Sequence, residues 1–360
     1  MMKDRVIIGM SGGVDSSVAA YLLKKQGYEV IGITMKLRSN DDFEQDSGRD
    51  SCCSLSSVDD ARRVCDKLNI PFYVINFTEI FEEKVVNYFI NEYFAGRTPN
   101  PCIACNKYLK FDALLKKADA LEAKYVATGH YARIIHEKKL NRYLIKKSAT
   151  ATKDQTYVLY NLSQSQLERI LMPLGDYTKE ETRKIADELD LDVANKPDSQ
   201  EICFIEDNDY GKFLENKRGD KIKPGKFVDT KGNVLGTHRG IVHYTIGQRK
   251  GLGIALGKPM YVVDIIPEKN LVILGEEDEV FKNELLATAA NFLPFDTLQH
   301  PMRAKAKIRY SAKESSAWAI PTGDNRFKLI FDEPQRAITP GQAVVLYQDD
   351  YLIGGGVIVK

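Results

Sequence analysis

The 360-residue chain contains no apolar run of the ~18 residues that a membrane-spanning helix needs. The apolar run nearest the start, residues 6–10, is too short for a signal peptide and leads directly into a glycine-rich segment. The sequence therefore predicts a cytoplasmic protein that makes no membrane contact.

Net charge is also almost absent. The 51 Lys and Arg residues nearly balance the 50 Asp and Glu residues, which leaves a formal charge of +1. Overall charge therefore gives no support for a nucleic-acid partner, and only a local basic patch could provide it.

Cysteines are few, and they do not form a regular framework. The six are Cys52, Cys53, Cys65, Cys102, Cys105 and Cys203. In a reducing cytosol such residues are catalytic, metal-binding or buried rather than paired in structural disulfides.

Hydrophobic patterning divides the chain into two regions with different sequence patterns. Up to about residue 207, strand-like and helix-like segments alternate, which predicts an α/β fold with a parallel sheet covered by helices. Beyond that point glycine and proline become frequent and the apolar runs shorten to strand length. We expect three domains: 1–208, the α/β domain; 209–280, a small mixed β module; and 281–360, a C-terminal β-barrel.

The segment SGGVDS, residues 11–16, lies between the first predicted strand and the first predicted helix. Its two glycines let the backbone approach an anion closely, and the helix N-terminus directs N–H groups towards it. Ser11 and Ser16 add hydroxyl donors, and Asp15 could hold Mg²⁺. The simpler alternative is a glycine turn with a serine helix cap.

The loop lacks the Gly-Lys-Ser/Thr ending of a Walker A motif, which disfavours a kinase or motor ATPase. It resembles the PP-loop of ATP pyrophosphatases. In that superfamily, attack at the α-phosphate of ATP releases pyrophosphate and leaves an adenylated substrate.

Two cysteine-containing segments are candidates for the chemistry. Cys102 and Cys105 lie in TPNPCIACNK (98–107), where the prolines predict a rigid loop followed by a helix. A cysteine near that helix start and beside Lys107 would have a lowered pKa. Cys203 lies in PDSQEICFI (197–205), an apolar, strand-like segment.

Four hypotheses for these thiols stay open. They could handle sulfur as a nucleophile and a persulfide carrier, hold zinc, ligate an iron–sulfur cluster through Cys102, Cys105 and Cys203, or be buried and inert, as expected for Cys65. The phosphate loop favours sulfur chemistry. Adenylation turns a carbonyl oxygen into a leaving group, a persulfide attacks the activated carbon, and a second cysteine releases the sulfur.

Several stretches, in order along the chain, resemble the bacterial tRNA-specific 2-thiouridylase family. They are GMSGGVDSSVAA (9–20), RTPNPCIACNKYLKF (97–111), ATGHYAR (127–133), KDQTYVL (153–159), KPDSQEICFI (196–205), HYTIGQRKGLG (243–253) and ITPGQAVVLY (338–347). The resemblance implies an adenine nucleotide α-hydrolase-like N-terminal domain. It also implies an enzyme that makes 2-thiouridine at the wobble position of the tRNAs for lysine, glutamate and glutamine.

The resemblance implies ATP and Mg²⁺ as cofactors and no resident metal centre. Its partners would be tRNA and a cysteine desulfurase or sulfur relay protein, and the enzyme would be a monomer. Cys105 would be the nucleophile and Cys203 the persulfide carrier, bridged as a disulfide in one state. Many family members have Asp where this chain has Cys102, so which thiol attacks first stays open, as does the cluster hypothesis.

The remaining implied site residues fall into two sets. Those expected to contact ATP are Gly9, Met10, Ser11, Gly12, Gly13, Val14, Asp15, Ser16, Met35 and Gly129. Those expected to contact tRNA are Asn100, Pro101 and Cys102 at the target base, and His130, Lys153, Asp154, Gln155, Arg309, Tyr310 and Gln342 elsewhere. Plainer alternatives are a core histidine at His130 and an ordinary loop at residues 154–155.

One basic strand is a clue independent of the resemblance. In residues 303–310, every second side chain is Arg or Lys, so Arg303, Lys305, Lys307 and Arg309 would share one face at ~6.6 Å spacing. The alternate residues, ending with Tyr310, would face the barrel core. This face fits either a nucleic-acid backbone or solvent.

Two other functions compete with sulfur transfer to tRNA. A PP-loop amidoligase or synthetase for a small metabolite would use the same loop but would not need two cysteine motifs. A non-catalytic, nucleotide-sensing RNA-binding protein would not need reactive thiols.

Overall fold

The computed structural model describes residues 3–38, 55–150, 153–197, 202–205, 209–323 and 325–359. Within these ranges there are nine α-helices: α1 Val14–Lys25, α2 Leu55–Lys67, α3 Thr78–Phe81, α4 Asn87–Phe94, α5 Pro101–Cys105, α6 Leu114–Ala120, α7 Gln164–Leu167, α8 Lys179–Glu188 and α9 Tyr210–Arg218. Two π-helical segments, Glu82–Val86 and Asn106–Ala113, continue helices. Every helix in this set is too short or too polar to cross a membrane.

The strands in the same ranges number seventeen. They are β1 Arg5–Gly9, β2 Glu29–Lys36, β3 Phe72–Asn76, β4 Tyr125–Ala127, β5 Ala132–Glu137, β6 Arg142–Lys147, β7 Ile170–Leu171, β8 Gly225–Asp229, β9 Val234–His238, β10 Tyr261–Ile266, β11 Leu271–Gly275, β12 Phe281–Phe292, β13 Met302–Lys307, β14 Ser315–Pro321, β15 Phe327–Arg336, β16 Ala343–Gln348 and β17 Tyr351–Ile358.

The chain divides into two compact units. The first comprises Met1–Val85, Cys102–Cys203 and Asp349–Ile353. The second comprises Val86–Pro101, Phe204–Gln348 and Gly354–Lys360.

The first unit is built on a five-stranded parallel sheet with the order β3-β2-β1-β4-β7. Val6, Ile7 and Ile8 of β1 are completely buried, because helices pack on both faces of the sheet. The predicted α/β class is confirmed. In such sheets, ligands bind beyond the carboxyl ends of the strands, where the SGGVDS loop follows β1.

The second unit contains a mixed four-stranded sheet, β10-β11-β8-β9, in which only β11 and β8 run parallel. It also contains a six-stranded antiparallel barrel, β12-β15-β14-β13-β16-β17, closed by pairing of β12 with residues 354–358 of β17. Closure removes the exposed strand edges that an open sheet would leave. The predicted β-barrel is therefore confirmed.

The basic strand alternates as predicted, but only over part of its length. Ala304, Ala306 and Ile308 are buried, while Arg303 and Lys305 are exposed. The expectation that Tyr310 faces the core is wrong, because β13 ends at Lys307 and the alternation of buried side chains does not continue past Ile308; Tyr310 is 47% exposed.

Candidate active site

Backbone and side-chain hydrogen bonds tie the phosphate loop to the second strand of the sheet. The Met10 amide donates to the Ile33 carbonyl at 2.8 Å, and the Thr34 hydroxyl donates to the Met10 carbonyl at 2.8 Å. The loop therefore leaves the end of β1 in a direction that the buried strand β2 determines.

Serine hydroxyls brace the loop from inside. The Ser16 and Ser17 hydroxyls both donate to the Gly13 carbonyl, at 3.1 and 2.9 Å, and the Ser11 amide donates to the Ser16 hydroxyl at 3.2 Å. Gly13, the N-cap of α1, has no side-chain cap. No side chain of the N-cap residue therefore competes with an anion for the first N–H groups of α1. Ser16 is buried and serves as a brace, whereas Ser11 is exposed.

The two loop glycines serve different purposes. Gly12 has φ of +68°, and a Cβ there would collide with the Ser57 carbonyl at the start of α2, so only glycine fits. A Cβ on Gly13 would meet nothing nearer than the Ser11 hydroxyl at 3.5 Å. One glycine therefore permits close packing, and the other leaves open space beside the helix N-terminus.

The segment after β4 packs directly on the first turn of α1. A Cβ on Gly129 would lie 2.8 Å from both the Asp15 carbonyl carbon and the Ser16 amide nitrogen. The nearby Tyr131 is fully buried, and its hydroxyl donates to Asp15 Oδ1 at 2.8 Å. Gly129, predicted to contact ATP, is thus brought against the phosphate loop.

Asp15 has a second partner that the sequence did not indicate. Lys179 Nζ lies 2.6 Å from Asp15 Oδ1, the oxygen that also accepts from Tyr131. A carboxylate at this place has the hard oxygen atoms that Mg²⁺ prefers. Asp15 fits the predicted role of metal ligand, although a protein cation neutralises it here. Sequence reasoning missed Lys179, whose one signal is a lysine at the first position of a capped helix.

His130 is a buried histidine. Its Nδ1 lies 2.8 Å from the Thr128 hydroxyl, and its ring packs near Phe111. Burial, with a smaller contribution from Lys110, places the pKa of His130 well below its ordinary value. The core-histidine alternative describes this geometry, and contact of His130 with tRNA stays a prediction.

We expect the neutral His130 to make stability depend on pH. Below the ordinary histidine pKa of 6.5, the unfolded state gains a proton that folded His130 does not bind, so stability falls by at most about 1.4 kcal/mol per pH unit. Above that pH both states are neutral and the effect vanishes. Urea unfolding measures the free energy of unfolding at each pH. Between neutral pH and about pH 5, this free energy should change less steeply with pH in H130Q than in the wild type. His238 and His243, whose pKa values burial also lowers, contribute to the pH dependence with the same sign. An unchanged slope would contradict this assignment.

The three candidate thiols all lie within the first unit. Cys102 is exposed, and Cys105 and Cys203 are half-buried. The expected loop before the helix is shorter than predicted, because α5 begins at Pro101 and includes both Cys102 and Cys105. Proline suits the first helical turn since it has no N–H to leave unpaired. Within the described ranges, no three His, Cys, Asp or Glu side chains come together as a metal site, so the cluster hypothesis gains no geometric support.

Arg38 connects the end of β2 with the Cys203 segment. It follows β2 by two residues, and its guanidinium donates to the Cys203 carbonyl at 2.8 Å. The Arg38 carbonyl in turn accepts from the Thr78 hydroxyl at 3.4 Å. Met35, predicted to contact ATP, is half-buried on the same strand. Arg38 therefore holds the segment that presents Cys203, a role that sequence reasoning missed.

Replacing Arg38 by alanine should slow sulfur transfer about tenfold, since a hydrogen bond from a charged donor contributes about 1.5 kcal/mol. ATP cleavage should be unchanged, because the phosphate loop makes its own contacts. The measurements are single-turnover thiolation and pyrophosphate release. R62A, which removes an exposed arginine packed 5.4 Å from the Phe72 ring, is the control. Equal losses in both steps of R38A would show that Arg38 acts elsewhere.

Residues 153–155, which are predicted to contact tRNA, are linked to Tyr131 through Gln155. The Gln155 side chain accepts from the Tyr131 amide at 3.0 Å, and Asp154 accepts from the Thr156 hydroxyl at 2.7 Å. These bonds give Asp154 and Gln155 structural roles, and their contact with tRNA stays a prediction, as does that of Lys153.

Three predicted tRNA residues meet in the second unit. A surface cavity of about 320 Å³ is lined by Thr98, Thr245, Ile246, Arg309, Tyr310, Ser311, Thr339 and Gln342. The Gln342 amide donates to the Thr98 carbonyl at 2.8 Å, and the Thr98 amide donates to Pro340. The RTPNP and ITPGQ motifs are thus joined. Asn100 and Pro101, expected at the target base, lie two and three residues after Thr98.

Comparison with known proteins identifies the relatives of this arrangement. Three family models match in order, described as tRNA methyl transferase HUP domain at residues 4–207, tRNA methyl transferase PRC-barrel domain at 211–276 and Aminomethyltransferase beta-barrel domain at 282–358. The curated tRNA-specific 2-thiouridylase MnmA of Acetivibrio thermocellus is 60% identical over 358 residues, 99% of this chain and 100% of that protein. The chain belongs to the MnmA family. The family's protein from Clostridioides difficile is 59% identical and covers 100% of this chain.

Membership in the MnmA family confirms the resemblance drawn from the motifs. It does not assign single residues, so the roles of Cys102, Cys105 and Cys203 rest on their chemistry and positions. The geometry adds Tyr131, Lys179 and Arg38 to the predicted site residues.

Proposed function

We propose that this protein is a tRNA-uridine 2-sulfurtransferase that adenylates the C2 oxygen of the wobble uridine with ATP and replaces it with sulfur. The observation that carries the proposal is identity of about 60% over essentially the whole chain to proteins named tRNA-specific 2-thiouridylase. The phosphate loop with two candidate sulfur-handling cysteines gives that name a physical basis.

In the first step, the residues after β1 hold the triphosphate while the uracil oxygen attacks the α-phosphorus. Bound Mg²⁺ would neutralise phosphate charge, with Asp15 as its protein ligand. The open side of Gly13 receives the phosphates, the N–H groups of α1 donate to them, and Ser11 adds a hydroxyl. The bond between the α- and β-phosphates breaks, and pyrophosphate leaves.

In the second step, the terminal sulfur of a Cys203 persulfide attacks C2 of the uracil ring, and AMP leaves with the former C2 oxygen. The Cys105 thiolate then attacks the inner sulfur of Cys203. A Cys105–Cys203 disulfide forms as the sulfur–sulfur bond of the persulfide breaks, and the released sulfur stays on the base. A thiol reductant restores the enzyme, and a sulfur donor reloads it.

The names of the relatives disagree on the chemistry, because the family models are named for methyl transfer and the curated relatives for thiolation. The residues favour thiolation. Methyl transfer from a sulfonium donor needs neither an α-phosphate-cleaving loop nor a persulfide carrier, and it leaves the base oxygen in place. The product decides between them, since sulfur replacing oxygen and an added methyl group give different nucleoside masses.

The finer assignments belong to the same proposal. The ATP and tRNA contacts are those predicted from the motifs, the substrates are the tRNAs for lysine, glutamate and glutamine, and sulfur comes from a cysteine desulfurase or a relay protein. We further propose a cytoplasmic monomer with domains at 1–208, 209–280 and 281–360.

The basic face of β13 offers a test of tRNA binding. Charge reversal in K305E/K307E should weaken tRNA binding. It should also reduce the slope of log affinity against log salt concentration by the amount expected for about two lost phosphate contacts, because fewer counterions are released. Binding is measured across a salt series. K116E/K117E, which reverses two exposed lysines on α6, makes the same change in net charge and should bind like the wild type. Unchanged binding of K305E/K307E would show that the basic face of β13 does not contact tRNA.

The deciding experiment incubates the enzyme with ATP, Mg²⁺, a cysteine desulfurase, cysteine and unmodified tRNA. Mass spectrometry of the nucleosides should show 2-thiouridine, with AMP and pyrophosphate released. A mass gain equal to a methyl group, or no gain, would reject the proposal. Cleavage of ATP with a small carboxylic acid and an amine in place of tRNA would support the amidoligase alternative.

A further inference from the structure

Lys179 occupies a position that helix stability does not explain. It is the first residue of α8, directly after Thr178, whose hydroxyl accepts from the Glu181 amide at 3.1 Å while the Glu181 carboxylate accepts from the Thr178 amide at 2.7 Å. This capping box defines the positive end of the helix dipole, where acidic side chains are favoured and a cation is not.

The ammonium group of Lys179 is directed to the phosphate loop. It lies 2.6 Å from Asp15 Oδ1 and 6.0 Å from the centre of the Tyr131 ring. The side chains of Lys179 and Asp15 are only 14% and 25% exposed, so the pair is partly withdrawn from water. Tyr131 holds Asp15 from the other side, and the Tyr131 oxygen lies 3.0 Å from the Thr182 hydroxyl, one turn along α8.

A cation, the N-terminus of α1 and the N-terminus of α8 thus converge on one carboxylate in the first turn of α1. A triphosphate bound beside Gly13 would bring several negative charges to the same place. The flexible stem of lysine allows its ammonium to move a few ångströms from a carboxylate to a phosphate oxygen. Asp15 would then be free for a metal ion.

We propose that Lys179 is a phosphate ligand whose ammonium group is paired with Asp15 until nucleotide binds. Without nucleotide its ammonium neutralises Asp15, and with nucleotide it binds the β-phosphate and stabilises the pyrophosphate that leaves. The Lys179 side chain contributes charge to this step and transfers no proton. The inference rests on the proposed adenylation and adds a residue that the motifs did not indicate.

The variant K179M separates this role from a structural one, because it should change two measurements in opposite directions. Single-turnover pyrophosphate release with tRNA should fall about 100-fold, as when a donor to transition-state charge is removed, with a smaller change in KM for ATP. Binding of Mn²⁺ alone, without nucleotide, should tighten about fivefold, because Asp15 has lost its competing cation. Electron paramagnetic resonance of free Mn²⁺ gives the affinity.

Three variants serve as controls. K184M removes an exposed lysine from the same helix, paired with Glu188 at 3.9 Å, and should behave like the wild type in both measurements. K179R keeps the charge and should retain the wild-type Mn²⁺ affinity. D15N/K179M should lose the tightened Mn²⁺ binding, which assigns that binding to Asp15.

Normal pyrophosphate release by K179M would overturn the phosphate-ligand role. Slower release with unchanged or weaker Mn²⁺ binding would also overturn the proposal, because Lys179 would then merely support the fold. The Mn²⁺ measurement needs neither tRNA nor sulfur. If the wild type released no pyrophosphate with tRNA, the proposed function would fail, and Mn²⁺ binding by K179M would still decide the counter-ion role.

Discussion

Replacing Cys203 by serine should abolish 2-thiouridine formation, by on the order of 10⁴-fold or more, while pyrophosphate release continues. A serine hydroxyl cannot form a persulfide, so no sulfur reaches the activated base. The phosphate loop and Asp15 make no use of the thiol, so the tRNA is still adenylated. Thiolated nucleoside and pyrophosphate are quantified in the same single-turnover reaction.

The same reaction assigns the two thiols of α5. Cys105→Ser should also lose thiolation, whereas Cys102→Ser should retain most of it. C65S is the matched control, since burial raises the pKa of the Cys65 thiol to about 12 and keeps it unreactive. If Cys102→Ser is inactive and Cys105→Ser is active, the nucleophile assignment is wrong. Loss of activity in C102S, C105S and C203S alike, together with bound iron in the wild type, would support the cluster hypothesis.

Replacing Gly12 by alanine should reduce ATP cleavage by about 100-fold or more, the scale seen when loop geometry misplaces groups that bind transition-state charge. The new Cβ would collide with the Ser57 carbonyl, which is part of the backbone and cannot rotate away as a side chain could, so the loop or α2 must shift. Pyrophosphate release and ATP affinity measure the change.

A second glycine separates collision from backbone strain. Gly27, just beyond α1, has φ of +95°, and a Cβ there would meet nothing within 4 Å. G27A should therefore lower the free energy of unfolding by about 1 kcal/mol through backbone strain alone and leave ATP cleavage unchanged. If G12A cleaved ATP as well as G27A does, the close approach of Gly12 to α2 would have no functional importance.

Local pattern was sufficient to predict the elements that build the site. The SGGVDS segment lies between the first strand and the first helix, as the sequence predicts. Burial of Cys65 is confirmed. These predictions succeed because periodicity of apolar residues and glycine conformation are properties of short segments.

Predictions that depended on where a segment ends were less accurate. Tyr310 continues the alternation of β13 in the sequence, yet the strand stops at Lys307 and Tyr310 is exposed. Likewise, α5 begins at Pro101, earlier than the composition of residues 98–107 indicated. Strand and helix termini depend on hydrogen-bond partners elsewhere in the chain, which no local pattern records.

The sequence by itself determined the reaction class: a loop that cleaves ATP at the α-phosphate, two cysteine motifs and the family to which they belong. Only the tertiary structure decided which charges act on that loop. Asp15 lies 164 positions before Lys179 and 116 before Tyr131, and Arg38 lies 165 before Cys203. Such pairs form because parallel strands and their helices bring distant segments to one edge of a sheet, and nothing in the spacing of a single motif specifies them.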